Sequence, residues 1–111
     1  MATANGPPPY TVSASGAARD QIRQLARRAI RAGLRREFFD DLRSANHRLR
    51  HDPGSWGDRL RDYRHAGLGE YRAMSSVLIV HYGVHEASRQ VFVREVRLSP
   101  YSPLAESDSP E

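Results

Sequence analysis

The chain has 111 residues, which is enough for one domain with a single modest core. Its 17 basic residues are all Arg, and with 13 acids they give a net charge of +4, which points to an acidic partner such as a nucleic acid or an acidic protein. There is no Cys, which excludes disulfides and thiolate chemistry, and no apolar run of membrane-spanning length, so a cytoplasmic protein is expected.

The two ends differ in composition from the rest of the chain. Residues 1–9 contain three consecutive Pro among mostly small residues, and residues 102–111 are rich in Ser, Pro and acids, so both are expected to be disordered. One folded domain is predicted over residues 10–101, where 17 Arg and 10 acids leave a net charge of +7. Two explanations of the Arg excess stay open, since Arg pairs bidentately with phosphate and a GC-rich genome favours Arg codons.

The first half of the domain has helical periodicity. After a short strand predicted over residues 10–13, apolar residues recur at three-and-four spacing over about residues 17–32 and 34–51. A Gly separates these two helices, and Asp52-Pro53-Gly54 ends the second. Since neither helix can bury its apolar face by itself, we expect the two helices to pack as an antiparallel hairpin.

The second half of the domain has strand periodicity. Residues 53–69 are predicted to be a loop, and strands are predicted near residues 70–76, 77–84 and 91–98. Strands gathered after helices indicate an α+β fold, a two-helix hairpin packed on one face of a small antiparallel sheet whose other face is open. The side chains expected in the core are Ile22, Leu25, Ile30, Phe38, Leu42, Leu49, Leu78, Val80, Phe92 and Val96.

Four short stretches carry a resemblance to a known family. They are Leu60-Arg61-Asp62-Tyr63, Gly69-Glu70-Tyr71-Arg72, Leu78-Ile79-Val80-His81-Tyr82-Gly83-Val84 and Val91-Phe92-Val93. In this order, after a helix that ends in Asp-Pro, they resemble the RelE/ParE superfamily of bacterial toxins over residues 17–101. The resemblance implies a RelE/ParE-like α+β fold and a toxin of a type II toxin–antitoxin system. Its implied partners are a cognate antitoxin protein and mRNA, free or on the ribosome.

The chemistry implied by the resemblance is RNA cleavage. Members of the family that cleave mRNA, and so inhibit translation, need no metal or other cofactor, which implies a metal-independent endoribonuclease. The 2′-oxygen of RNA attacks the neighbouring phosphorus, so the site needs a base, an acid, and cations to balance the extra charge on phosphorus. The family takes these groups from the open face of the sheet and from a Tyr or His near the C-terminal end.

Carried over residue by residue, the resemblance implies catalytic roles for Arg72, Arg97 and Tyr101, and strand alternation adds His81 to this candidate cluster. Ile79 departs from the family pattern, because ribosome-dependent members place a key Arg there. His81 lies two residues further on the same strand, so it shares the face of Ile79 and offers an imidazole that can serve as base or acid near pH 7. The alternative for this cluster is an ordinary solvated sheet face.

The departure at Ile79 keeps two further functions open. One is a ParE-like toxin that binds a topoisomerase without cleaving RNA, and the other is a degenerate domain that only binds a protein or RNA. The five His residues have no Cys and no acid at a convincing ligand spacing, so no metal site is expected.

A basic ridge runs along the first helix. Its members recur every four residues and are Arg19, Arg23, Arg27 and Arg31. Such a ridge suits the phosphate backbone of RNA or an acidic antitoxin, and a merely solvated helix face is the alternative.

Overall fold

The computed structural model describes residues 8–102, so the two terminal segments predicted to be disordered lie almost wholly outside the described residues. Within the described range, no helix is long and apolar enough to cross a membrane. The elements, in chain order, are β1 (Thr11–Ala14), α1 (Gly16–Arg31), α2 (Arg35–His51), α3 (Pro53–Trp56), β2 (Asp58–Tyr63), β3 (Leu68–Met74), β4 (Leu78–His85) and β5 (Gln90–Leu98). The predicted α+β fold is confirmed.

Both long helices form where the apolar spacing predicts them. The Oγ of Ser15 accepts a hydrogen bond from the backbone N–H of Ala18 at 3.0 Å, which caps the first turn of α1. Gly33 follows α1 with a φ of 74°, a left-handed conformation that glycine adopts without strain and that turns the chain into α2. Pro53 starts the short α3 directly after α2, because its ring fixes φ at a value suited to the first helical turn.

The five strands form one sheet in the order β1-β5-β4-β3-β2. Neighbouring strands are antiparallel except β1 and β5, which are parallel. The sheet is therefore mixed, and the prediction of a wholly antiparallel sheet is wrong at β1. A parallel pair needs a long connection rather than a tight turn, and here the helical hairpin and three strands supply it.

The helical hairpin packs on one face of this sheet, and most of the predicted core is confirmed. Six of the predicted side chains are buried: Leu25, Phe38, Leu49, Leu78, Val80 and Val96. Ile22 and Leu42 are half-buried against this core. The prediction is wrong at Ile30, which is 52% exposed, and at Phe92, which is 40% exposed. Ile30 lies about 100° round α1 from its buried neighbour Ala29.

A β-bulge in β5 explains the error at Phe92. The pairing of β5 with β4 shifts by one residue at Arg94, which has no partner on β4. Strict alternation would place Phe92 and Val96 on the same face of the strand. Because of the extra residue, Val96 points towards the helices while Phe92 points away from them.

The segment predicted to be a loop contains α3 and the strand β2. All six residues of β2 are exposed, so no apolar alternation reveals the strand in the sequence. Its backbone pairing with β3 defines it, and that pairing is irregular at Leu60.

An aromatic layer lies between α3 and the sheet. The ring of Tyr82 stacks on Tyr71 and on Trp56, with centroid distances of 5.4 and 5.9 Å. The hydroxyl of Tyr82 donates a hydrogen bond to the carbonyl oxygen of Pro53 at 2.6 Å. Burial raises the pKa of Tyr82, so the phenol stays a donor over the neutral range.

Candidate functional site

The sheet face turned away from the helical hairpin, here called the open face, carries a row of polar side chains. Arg72 of β3 pairs with His81 of β4, and His81 pairs with Glu95 of β5. Residues paired in this way across antiparallel strands lie about 4.5–5.5 Å apart. The three side chains therefore form one continuous cross-strand row.

Glu95 joins this row to Arg97. The bulge at Arg94 leaves both Arg94 and Glu95 on the open face, although they are consecutive. The Oε1 atom of Glu95 lies 3.8 Å from Nδ1 of His81, and its Oε2 atom lies 3.4 Å from Nε of Arg97. The carboxylate thus lies between an imidazole and a guanidinium group.

His81 lines a polar pocket of about 250 Å³ together with Gln21, Glu70, Arg94 and Glu95. Arg94 reaches across β4 to Glu70 on β3, with 3.1 Å between its Nη1 and the Oε2 of Glu70. The Nε2 atom of His81 is buried and has no hydrogen-bond partner within residues 8–102. An unsatisfied buried group of this kind costs about 1–3 kcal/mol.

Gln21 reaches the pocket because α1 lies along the edge of β5. Strand β1 pairs with β5 only as far as Val93. Beyond that point the Oε1 of Gln21 accepts a hydrogen bond from the backbone N–H of Val96 at 2.8 Å. This bond fixes the side chain at the side of the pocket.

The other two predicted catalytic residues lie further out. Arg97 is exposed and pairs with Ile79, and its strand is two strands from that of Arg72, a spacing of about 10 Å. His81 lies on the strand between them. Tyr101 follows the end of β5, its ring is 84% exposed, and its backbone N–H donates to Oγ of Ser99 at 3.2 Å. The structure brings Arg72, His81, Glu95 and Arg97 to one face but leaves Tyr101 at its margin.

The basic ridge of α1 is a separate surface. All four of its members are exposed, and Arg23 forms an ion pair with Asp20 at 3.0 Å. Arg23 follows Gln21 by two residues, so at about 100° per residue it points to nearly the opposite side of α1. The ridge therefore faces away from the pocket around His81.

A second concave feature of the described chain is mostly apolar. An apolar groove of about 400 Å³ lies between the helices and the sheet, and Arg43 is the one charged residue among those that line it. No group of three or more His, Cys, Asp or Glu residues in the described range is placed to hold a metal ion.

Two solved structures share this arrangement of elements. A chain of the toxin–antitoxin complex RelBE2 from Mycobacterium tuberculosis is 24% identical, with a TM-score of 0.54 over 82% of this chain and 99% of that chain. A chain of the archaeal RelE–RelB complex from Pyrococcus horikoshii OT3 is 19% identical, with a TM-score of 0.56 over 80% of this chain and 93% of that chain. The fold is RelE-like. No family model and no curated protein matches the chain.

Within this RelE-like fold, sequence reasoning missed Gln21, Glu70 and Arg94 as neighbours of His81. No local pattern reveals that a helix side chain will reach the edge of β5. The bulge has one signal in the sequence, because Arg94 and Glu95 are two consecutive charged residues inside an alternating strand.

Proposed function

We propose that this chain is the toxin of a type II toxin–antitoxin pair and that it cleaves mRNA on the open face of its sheet. The observation that carries the proposal is the cross-strand row of Arg72, His81 and Glu95, extended by Arg97. The RelE-like fold supports it, because both similar structures are complexes of a toxin with its antitoxin. The proposed partners are a RelB-type antitoxin and mRNA.

In the proposed reaction, Arg72 and Arg97 bind the scissile phosphate from either side of His81. The imidazole of His81 takes the proton of the 2′-hydroxyl and later releases it to solvent, the 2′-oxygen forms a bond to phosphorus, and the bond from phosphorus to the 5′-oxygen breaks. Tyr101 gives a proton to the departing 5′-oxygen and regains one from solvent. The products are a 2′,3′-cyclic phosphate end and a 5′-hydroxyl end, and the two guanidinium groups balance the charge that develops on phosphorus.

Replacement of His81 tests this proposal. A positioned acid or base contributes about 10²–10⁴-fold to a rate, so His81→Ala should lower cleavage of an RNA oligonucleotide at least about 10²-fold. His85 is the matched control, since it lies on the same strand and face, and His85→Ala should cleave at close to the wild-type rate. Arg72→Gln and Arg97→Gln should each reduce cleavage, and a metal chelator should not.

Induced expression in bacteria separates the candidate functions. Expression of the wild type should stop translation without changing DNA supercoiling, and His81→Ala should relieve growth arrest. A loss of supercoiling control with intact mRNA would instead indicate a topoisomerase-binding toxin of the ParE kind. No observation favours that alternative, because the similar structures are RelE complexes. Growth without arrest in both strains would indicate a degenerate domain.

A further inference from the structure

Phe92 lies on the open face, where its ring is partly exposed. It pairs with Gly83 on β4 and with Ser13 on β1, so neither cross-strand neighbour has a side chain large enough to cover the ring. Its 40% exposure alone would not be informative, because single exposed apolar residues are common on protein surfaces. Its position beside the cross-strand row of Arg72, His81 and Glu95 indicates a role in binding.

The ring lies next to groups that suit a nucleic acid. His81 is the diagonal neighbour of Phe92 across β4 and β5, at roughly 7–8 Å. Arg94 comes two residues after Phe92 on the same face, and its contact with Glu70 holds it across β4. A partly exposed aromatic ring with a guanidinium group nearby is what sheet surfaces use to stack single-stranded bases and pair with their phosphates.

We propose that the ring of Phe92 stacks on the RNA base next to the scissile phosphate. This inference rests on the proposed ribonuclease function and adds a side chain that positions the RNA substrate beside the scissile phosphate. Stacking tolerates all bases because every base has a π-face.

The test uses short RNA oligonucleotides with a 2′-O-methyl group at the cleavage position, so that binding is measured without cleavage. Phe92→Ala and Phe92→Leu should both weaken binding about tenfold, since both lose the stacking ring. Phe92→Trp should retain affinity, and its fluorescence should be quenched by RNA beyond the signal of Trp56 in the wild type. Leu60→Ala is the matched control, since Leu60 is 44% exposed and lies on the far strand β2, and it should bind like the wild type.

A substrate change completes the test. With an abasic nucleotide at the stacked position, the wild type should bind no better than Phe92→Ala. Melting curves of each variant should match that of the wild type, because the ring lies outside the core. Equal affinity of the wild type and Phe92→Ala would overturn the proposal, and so would wild-type affinity of Phe92→Leu, which would indicate apolar contact without stacking.

Cleavage assays on the same proteins distinguish stacking from ribonuclease activity. A wild type that cleaves RNA while the Phe92 variants bind like it would refute stacking and leave the proposed function intact. A wild type that binds with the expected loss at Phe92 but does not cleave would support stacking and refute ribonuclease activity. A wild type that binds no RNA would refute both.

Discussion

The Nδ1 atom of His81 lies 3.8 Å from Oε1 of Glu95, which is longer than a hydrogen bond but within the range that tightens when a substrate binds. A carboxylate beside Nδ1 favours the imidazole tautomer that carries its proton on Nδ1. We therefore expect Glu95→Gln to slow RNA cleavage, though less than His81→Ala does. Nitrogen NMR shifts of the imidazole should show a changed tautomer population, which a purely structural role would not produce. Glu37→Gln, an equal change of charge on α2, is the control. Unchanged tautomer populations in Glu95→Gln would contradict the positioning role.

The basic ridge should contribute to the binding of long RNA only. Replacing Arg19, Arg23 and Arg27 by Gln should reduce the slope of log affinity against log salt by about 0.7 for each single-strand phosphate that the variant no longer neutralises. A hexanucleotide that spans only the open face should bind the variant as it binds the wild type, because the ridge faces the other way. A triple Gln variant of the exposed α2 residues Arg35, Arg36 and Arg43 gives the matched comparison. Identical salt slopes for wild type and ridge variant would leave the ridge as solvated surface.

Asp41 should stabilise the fold more than its neighbour Asp40. The carboxylate of Asp41 accepts hydrogen bonds from the hydroxyl of Ser75 and, at 3.0 Å, from the backbone N–H of Val77, which fastens the β3–β4 turn to α2. Asp41→Ala should therefore lower the free energy of unfolding by about 1.5–3 kcal/mol, as expected for hydrogen bonds to a charged group. Asp40 forms an exposed ion pair with Arg43, so Asp40→Ala should cost at most about 1 kcal/mol. Denaturant titration measures the free energy of unfolding of both variants. Equal losses in Asp41→Ala and Asp40→Ala would contradict the role of Asp41 in holding the β3–β4 turn against α2.

The hydroxyl of Tyr82 should matter more than that of Tyr63. Tyr82→Phe leaves the carbonyl of Pro53 without its buried donor and should lower the free energy of unfolding by about 1–3 kcal/mol. Tyr63→Phe removes an exposed contact with Glu70 and should stay within about 0.5 kcal/mol of the wild type. Thermal melts of both variants test this order of effects. A larger loss of stability in Tyr63→Phe than in Tyr82→Phe would contradict the prediction.

The same hydroxyl predicts a pH dependence. Burial raises the pKa of Tyr82 above that of a tyrosine in the unfolded chain, which is about 10. A group whose folded pKa is raised stabilises fully below the unfolded pKa and loses this contribution as the pH rises beyond it. The stability difference between wild type and Tyr82→Phe should therefore shrink above about pH 10. A difference that grows with alkaline pH would contradict this assignment.

The helices were predictable to within one residue at each end because their signals are local. The predicted ranges 17–32 and 34–51 correspond to Gly16–Arg31 and Arg35–His51 in the structure. Apolar spacing, the cap at Ser15 and the helix-ending prolyl segment all act within a few residues of each boundary. The strand β2 was not predictable, since it has no apolar face and exists through hydrogen bonds to β3.

The sequence predicts on which face of the sheet Arg72 and His81 lie. It does not predict which residues pair across neighbouring strands. Strand parity places Arg72 and His81 on one face of the sheet, as the sequence indicates. Their direct pairing depends on the turn between β3 and β4, which has no strong signal in the sequence. The bulge at Arg94 then decides that Phe92 lies on the open face rather than in the core, and this depends on the long-range pairing of β5.

The hydrogen bond from Val96 to Gln21 also affects how the protein behaves in solution. Unpaired backbone groups at the edge of a sheet recruit strands from other chains and promote aggregation. Where β1 ends, one amide side chain and the helix behind it close the edge of β5. The same contact ties α1 to the sheet, so moving α1 away from β5 would break this hydrogen bond and expose the edge of the strand.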